Sequence, residues 1–467
     1  MHYDLIIIGG GAAGFAAAHR AEKLSLKTLL INDSTIVPLG GTCVNVGCIP
    51  SKIMLHQAGL IYSAMKNTFR ALSFSGSADF IEALKETREM VTEFQETNYL
   101  KVLKTKKHVQ YIEGKARFVD DSRIEVSGQV FEGRYFLVAT GASTYIPEVD
   151  GIHDVPYLTN RTVFDLKEKP ASIIILGGGS EAVEFAQIFY RFGIRTTIIQ
   201  RSPRILTRFD PIVAEKLQEI LLKEGIEIIT DTRVVSIKNN DTEVEVLFEH
   251  GRESIKHATA EKLLIATGLR GNTMGLGLEE AGVQTDERGF IKVNGFLQSS
   301  SPHIFAAGDV TGIMPLETVA AKQGTTAVRN MFEDKAEIDY GLIPRAVFTS
   351  PELASVGMTE DEFMKRYNVC LCRTLSLKHI EKTALMKEAE GLIRMVVHPG
   401  TKEVAGVQMV GPHASEVITT AAYAIKNRMT IYDIRDTVHI FPTVSEVLKK
   451  VAQSFDEDIS DMPCCIE

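Results

Sequence analysis

Twice along this chain an apolar run leads straight into a glycine-rich turn and then into a small or aliphatic helical stretch. The first copy runs from Tyr3 to Ile8, through Gly9-Gly10-Gly11-Ala12-Ala13-Gly14, to Lys23, with Thr28 to Ile31 as the next apolar run. The second runs from Ile173 to Leu176, through Gly177-Gly178-Gly179-Ser180-Glu181-Ala182, toward Phe192, with Thr196 to Ile199 following. Each reads as strand, tight turn, helix and parallel strand. In such a unit the first glycine makes the turn, the second lets backbone approach a pyrophosphate, and the third permits close helix–strand packing. A single Gly-x-Gly-x-x-Gly is a weak signal. Two in matching contexts predict an α/β protein with two Rossmann-like dinucleotide-binding units.

Two further echoes fit a duplication. Phe136 to Gly141 and Leu263 to Gly268 are both apolar runs ending in Ala-Thr-Gly. At 467 residues the chain is long enough for about two to four domains. After Gly308-Asp309, and from about Tyr340, short β-like runs alternate with helices and no glycine-rich loop recurs, which predicts a separate C-terminal α+β domain. The expected organisation is one dinucleotide-binding unit over 1–150 and 271–335, a second inserted over 151–270, and a C-terminal domain over 336–467. The net charge of −9 disfavours nucleic acid and anionic membranes as partners. Leu5 to Ile8 is too short for a secretory signal and reads as a buried strand. A cytoplasmic location is the expectation.

The chemistry-bearing residues fall into three groups. At the end of the second strand of the first unit stand Asn32 and Asp33, either of which suits a ribose hydroxyl. At the matching place in the second unit stands Gln200-Arg201-Ser202, with Arg204 nearby. Arg201 in place of a carboxylate suits a 2′-phosphate and predicts NADPH over NADH. The third group is sulfur. Cys43 and Cys48, four residues apart, lie at a predicted helix start, where thiolate is favoured. Cys464-Cys465 stands two residues from the end of the chain. A vicinal pair makes a strained disulfide but a good soft-metal ligand pair. Cys370 and Cys372, on one face of a predicted strand, read as plain core cysteines.

The stretch Gly40-Gly41-Thr42-Cys43-Val44-Asn45-Val46-Gly47-Cys48-Ile49-Pro50-Ser51-Lys52 resembles the active-site motif of the pyridine nucleotide-disulfide oxidoreductases. The resemblance continues through Ala139-Thr140-Gly141, the second glycine loop, Gly308-Asp309 and the C-terminal region. It implies bound FAD and a homodimer with active sites shared across the interface. By the same resemblance, Cys43 is the interchange thiol, Cys48 the thiol beside the flavin, and Lys52 and Glu184 a pair near the flavin's reactive nitrogen. It implies that Gly9, Gly11, Ala13, Gly14, Asp33, Gly41, Thr42, Lys52, Ala116, Thr140, Gly141, Gly308, Asp309 and Val319 line the flavin nucleotide. Gly177, Gly179, Ala182, Gln200, Arg201 and Gly268 line the nicotinamide nucleotide.

The family's disulfide reductases carry a His-Pro-Thr motif whose histidine moves a proton to a thiol leaving group. Here the segment is His439-Ile440-Phe441-Pro442-Thr443, and phenylalanine at that place transfers no proton. Phe-Pro with a terminal Cys-Cys resembles the family's Hg(II)-reducing members, as does Ala424 to Thr430. The resemblance covers their catalytic core and not the N-terminal metal-binding domain many of them carry. Ser180 and Thr443 stand where some of those members have tyrosine. The expected substrate is a thiol complex of Hg(II), passed from Cys464 and Cys465 of one subunit to Cys43 and Cys48 of the other. The alternatives are a disulfide or polysulfide reductase of the same family and a thiol-based metal-sequestering protein.

Overall fold

The structure is a computed structural model describing residues 2–66, 68–240, 242–251 and 255–458. The two glycine-loop units fold alike. In the first, the strand His2–Ile8, buried from Leu5 onward, pairs in parallel with Thr28–Asn32 on one side and Gln129–Val138 on the other, with Ile6 opposite both Leu29 and Phe136. Val109–Glu113 extends the sheet beyond 28–32, and Ile304–Ala306 adds in parallel beside 129–138. An antiparallel meander, Ala116–Phe118 with Arg123–Val126, turns off the same long strand. In the second unit Ser172–Leu176 pairs in parallel with Arg195–Ile199 and Lys262–Ile265, and Glu227–Ile229 closes the edge.

Strands buried on both faces need continuous apolar runs, which is what Leu5 to Ile8 and Ile173 to Leu176 supply. The antiparallel strands Thr232–Asn240, Glu243–His250 and Lys256–Ala260 form a separate three-stranded sheet in the second unit. Ala142–Thr144 pairs with Leu269–Gly271, tying the chain's exit from one unit to its return from the other.

The C-terminal region is a five-stranded antiparallel sheet in the order Arg345–Val347, Glu352–Gly357, Val404–Gly411, Leu392–Val397, Leu371–Ser376. The helix Ala414–Lys426 covers one face through Val417, Ile418 and Ala421. No helix among the described residues is long and apolar enough to cross a membrane.

A buried ion pair locks this sheet to the second unit. Arg191, at the end of the helix Ser180–Arg191, donates from Nε to Glu224 Oε1 at 2.7 Å and from Nη2 to Glu224 Oε2 at 3.1 Å. Both side chains are almost fully buried, at 1% and 2% exposure. Arg191 Nη2 also donates to the Ser350 carbonyl, which Gln187 Nε2 shares, while Gln187 Oε1 accepts from the Ser350 amide. The guanidinium also stacks over Tyr62 at 4.2 Å. Removing one partner of such a pair strands a charge away from water. Glu224→Ala should therefore lower stability by about 3–5 kcal/mol, whereas the apolar double substitution Arg191→Met with Glu224→Leu should cost far less. Denaturant midpoints of the three proteins check this. Equal losses in the single and double variants would refute it.

Candidate active site

The two glycine loops share one backbone solution. Gly9 and Gly177 take φ of +113° and +117°. A Cβ on Gly9 would lie 2.2 Å from the Ala139 carbonyl oxygen, and one on Gly177 would lie 2.1 Å from that of Ala266. Only glycine meets both demands. Gly11 and Gly179 then begin the helices Ala12–Lys23 and Ser180–Arg191 with near-identical extended backbones, and neither helix start has a capping side chain. Uncapped first-turn N–H groups with open space before them, as at Gly179, form a ready anion site. The loops differ at the third position. A Cβ on Gly14 would meet the Gly9 carbonyl oxygen at 1.8 Å, whereas the second unit accommodates the buried Ala182.

Neighbouring residues build the rest of the cradle. The Gly40 amide donates to the Gly10 carbonyl at 2.9 Å, and a Cβ on Gly41 would come within 2.7 Å of Gly11 Cα. The loop carrying Thr42 and Cys43 is thus pressed against the first nucleotide turn. Thr140 donates its hydroxyl to the Asn272 carbonyl at 2.8 Å, and Asn272 returns a bond to the Thr140 carbonyl at 2.9 Å, fixing Thr140-Gly141. Gly308 packs its backbone over Ala13, and Val319 is buried on the helix Glu317–Phe332. Ala116 is buried at the start of its strand. Asn32 is already committed: its Oδ1 accepts from the Gly10 amide at 3.0 Å and its Nδ2 donates to the Val37 carbonyl. Asp33 caps its own turn through Thr35.

The Asp309 carboxylate has no hydrogen-bond partner among the described residues, and burial pushes it up to about 6. A polyol hydroxyl is the partner such a group lacks. With the uncapped helix starts and the glycine cradle, the first unit fits FAD and the second fits a dinucleotide. In the second unit Gln200 is packed beneath Gly178, and Gly268 lies beside Arg288. Arg204 is used internally, donating to the Leu206 carbonyl. Arg201 is exposed, and among the described residues no carboxylate pairs with it.

The thiol pair sits between two helices. Cys43 lies in the short helix Gly41–Val46, and Cys48 is the first residue of the helix Cys48–Met65, with Gly47 between them. Both are half-buried free thiols. A hydrogen bond between the two sulfurs pushes Cys43 upward and lowers Cys48, with the Lys52 charge assisting Cys48. Of the two sulfurs, Cys48 is therefore the more readily ionised. Lys52, one helical turn on, bonds Glu184 Oε2 at 2.7 Å and lies over the Phe348 ring at 4.6 Å. Glu184 Oε1 accepts from the Phe348 amide at 2.9 Å. Residues from all three parts of the chain thus converge on one carboxylate.

Three participants escape the sequence reading. Tyr99 is pushed to about 12 by burial, then by the charges of Cys43 and Glu317. Glu317 opens the helix 317–332 and acts on both thiols. Glu181 has a buried Oε1 with no partner, and burial, then the Glu184 charge, push it up to about 7. A second carboxylate three residues before Glu184 was the available signal. Phe441 and Ile440 are strongly exposed beside His439, whose Nδ1 lies 2.9 Å from the Thr437 carbonyl. Thr443 bonds the Ile440 carbonyl. Cys464 and Cys465 lie outside the described residues. Cys370 and Cys372 differ from the expectation of plain core cysteines: they are half-buried and joined as a disulfide at the sheet edge.

Two nucleotide loops, a paired-thiol centre and a C-terminal antiparallel sheet together describe a dithiol oxidoreductase. The family model for pyridine nucleotide-disulphide oxidoreductases matches residues 3–324, and the model for that family's dimerisation domain matches 343–452. The chain belongs to this family, and its cofactors are FAD and NADPH. It is similar to the mercuric reductase of Staphylococcus aureus, 34% identical over 99% of this chain and 84% of that one. It is also similar to the mercuric reductase of Streptomyces lividans, 35% identical over 99% and 98%. Among solved structures it resembles the HOCl-induced flavoprotein disulfide reductase RclA from Escherichia coli. That match has a TM-score of 0.86 at 28% identity and covers 97% of this chain and 99% of the other.

The raised carboxyl of Glu181 has a consequence for pH. Its folded value lies above its ordinary 4.5, so ionising it costs stability progressively as pH rises through that window to about 7. Glu181→Gln removes the cost. The variant's thermal midpoint as holoenzyme should exceed wild type's by more at pH 8 than at pH 5. The same difference at both pH values would sink the assignment.

Proposed function

We infer that this chain is an NADPH-dependent flavoenzyme that reduces Hg(II) to Hg(0). The observation that carries the reading is the thiol pair Cys43–Cys48 beside Lys52, with Cys48 the more readily ionised, combined with Phe441 in place of a proton-transferring residue. Hg(II) is soft and takes two thiolates. Reducing it requires electrons and no protonated leaving group. Names of relatives such as those of S. aureus and S. lividans support the same substrate. Residues 1–150 and 271–335 would hold FAD, 151–270 NADPH, and 336–467 the partner subunit.

Bound FAD supplies the two-electron relay, so that NADPH and Hg(II) give NADP⁺, a proton and Hg(0). The chain's own residues do the rest. Cys48 presents a thiolate at a helix start, and Cys43 gives up its shared proton as the metal's second sulfur ligand arrives. Lys52 steadies that charge while Glu184 fixes Lys52. Arg201 pairs with the 2′-phosphate of NADPH. Cys464 and Cys465 of one subunit deliver the metal to Cys43 and Cys48 of the other. In support of a homodimer, Val438, Ile440 and Phe441 are 87%, 79% and 51% exposed, an apolar surface suited to a second copy. A disulfide reductase is the second reading, favoured by the likeness to RclA; Phe441 weighs against it.

Hg(II)-dependent NADPH oxidation, set against a panel of disulfides, tests the function. Cys464→Ala with Cys465→Ala should leave flavin content unchanged. It should lower Hg(II) turnover at least tenfold when small thiols are in excess, because a dithiol's second sulfur binds at high effective concentration. With weakly ligated HgBr2 the loss should be smaller. Unchanged turnover in excess thiol would rule out delivery by the tail. Arg201→Glu should raise KM for NADPH about ten- to a hundredfold, the range of a charge-assisted bond, and leave KM for NADH nearly unmoved. Equal effects on both would overturn the 2′-phosphate contact.

A further inference from the structure

A second sulfur site lies on the C-terminal sheet, apart from the thiol pair at 43 and 48. The helix Glu360–Tyr367 ends at Asn368 in the left-handed region, and the chain turns back into the edge strand Leu371–Ser376. This return sets Cys370 beside the first residue of the helix it has just left. Cys370 Sγ lies 3.9 Å from Glu360 Oε1. Glu360, Cys370 and Cys372 each offer a donor atom, and these atoms lie within 4.8 Å of one another.

Glu360 is not a casual neighbour. Its Oε2 is engaged by Arg394 Nη2, whose side chain is only 9% exposed and comes from the adjacent strand Leu392–Val397. Arg394 Nη1 donates to Thr374 Oγ1 at 2.9 Å, and its Nε lies 3.9 Å from Asp210 Oδ2. The guanidinium therefore grips one carboxylate oxygen and leaves the other aimed at sulfur. A ligand oriented by a supporting shell in this way is what metal sites require. All three donor residues are half-buried, which keeps one side open for a water.

We propose that Cys370, Cys372 and Glu360 form a redox-gated binding site for a divalent cation of the zinc–cadmium class. In the oxidised state the sulfurs are joined and no metal binds. Two small-molecule thiols reduce the disulfide: they supply two electrons and two protons, leave as their own disulfide, and free both cysteine thiols. The cation then displaces both thiol protons and takes two thiolates, Glu360 Oε1 and a water. A tetrahedral centre with metal–sulfur bonds of about 2.3 Å sets its sulfurs about 3.8 Å apart. The 6.2 Å between the two Cα atoms accommodates that spacing. A carboxylate as third ligand favours a four-coordinate cation over one that prefers two sulfurs in line.

Equilibrium dialysis of thiol-reduced holoenzyme against Cd(II) tests the site, with flavin content and thermal midpoint verifying the fold. Wild type should bind one Cd(II) per chain more than Cys370→Ser with Cys372→Ser. Glu360→Gln should weaken that one equivalent about 10- to 100-fold. In a background with Cys43→Ser, Cys48→Ser, Cys464→Ala and Cys465→Ala, the equivalent should persist when the protein is reduced and vanish when it is oxidised, a comparison that leaves the site's own residues intact. Equal stoichiometry in wild type and the 370/372 variant would overturn the site. Unchanged affinity in Glu360→Gln would overturn the carboxylate's part in it.

Discussion

The carboxylate of Glu184 is the point on which the three parts of this molecule depend. Its side chain is only 7% exposed, so both oxygens need partners. One takes Lys52 from the first nucleotide unit, and the other takes the Phe348 amide from the entry to the C-terminal sheet. Glu184 itself belongs to the helix of the second unit. The same helix continues the connection through Gln187 and Arg191, both bonded to the backbone at Ser350. One face of one helix thus sets where the first unit and the C-terminal sheet meet. Cys48 lies a single turn from Lys52, so its electrostatics follow from the same junction.

Duplication explains why two cofactors can be addressed by one backbone device. Gly9 and Gly177 close against the carbonyls of Ala139 and Ala266 at nearly equal distances, so each loop is a copy of one geometric solution. Specificity is left to side chains around the loops. Asn32 closes back on Gly10, whereas the second unit offers the exposed Arg201 just past Gln200. Gly14 must be glycine because the Gly9 carbonyl crosses it, and Ala182 escapes that constraint.

What the sequence made legible was local. Apolar runs buried on both faces, glycines forced into φ near +115° and a thiol at a helix start leave signatures within a few residues of one another. What it hid was tertiary. Asn32 and Asp33 were equivalent by position, and only the Gly10 amide distinguishes them. The grip of Arg191 on Glu224 and Ser350 joins residues far apart in the chain, and no period or spacing announces it. Cys370 precedes the edge strand that carries Cys372, so neither strand alternation nor core burial was the right inference for the pair. Burial of a strand face depends on what covers it, which is decided elsewhere in the chain.

The arrangement of charge at the thiols argues for a division of labour within the pair. A bond between two sulfurs can hold a single proton, and the helix start and Lys52 both favour placing the negative charge on Cys48. Glu184 and Glu317 oppose further negative charge in the same region. A second thiolate is therefore unfavourable until something positive arrives to share both sulfurs. A cationic, thiophilic ligand meets that condition directly, because it neutralises the charge that its own binding creates. A neutral disulfide does not, and its leaving thiolate would need a proton that Phe441 has no means to provide.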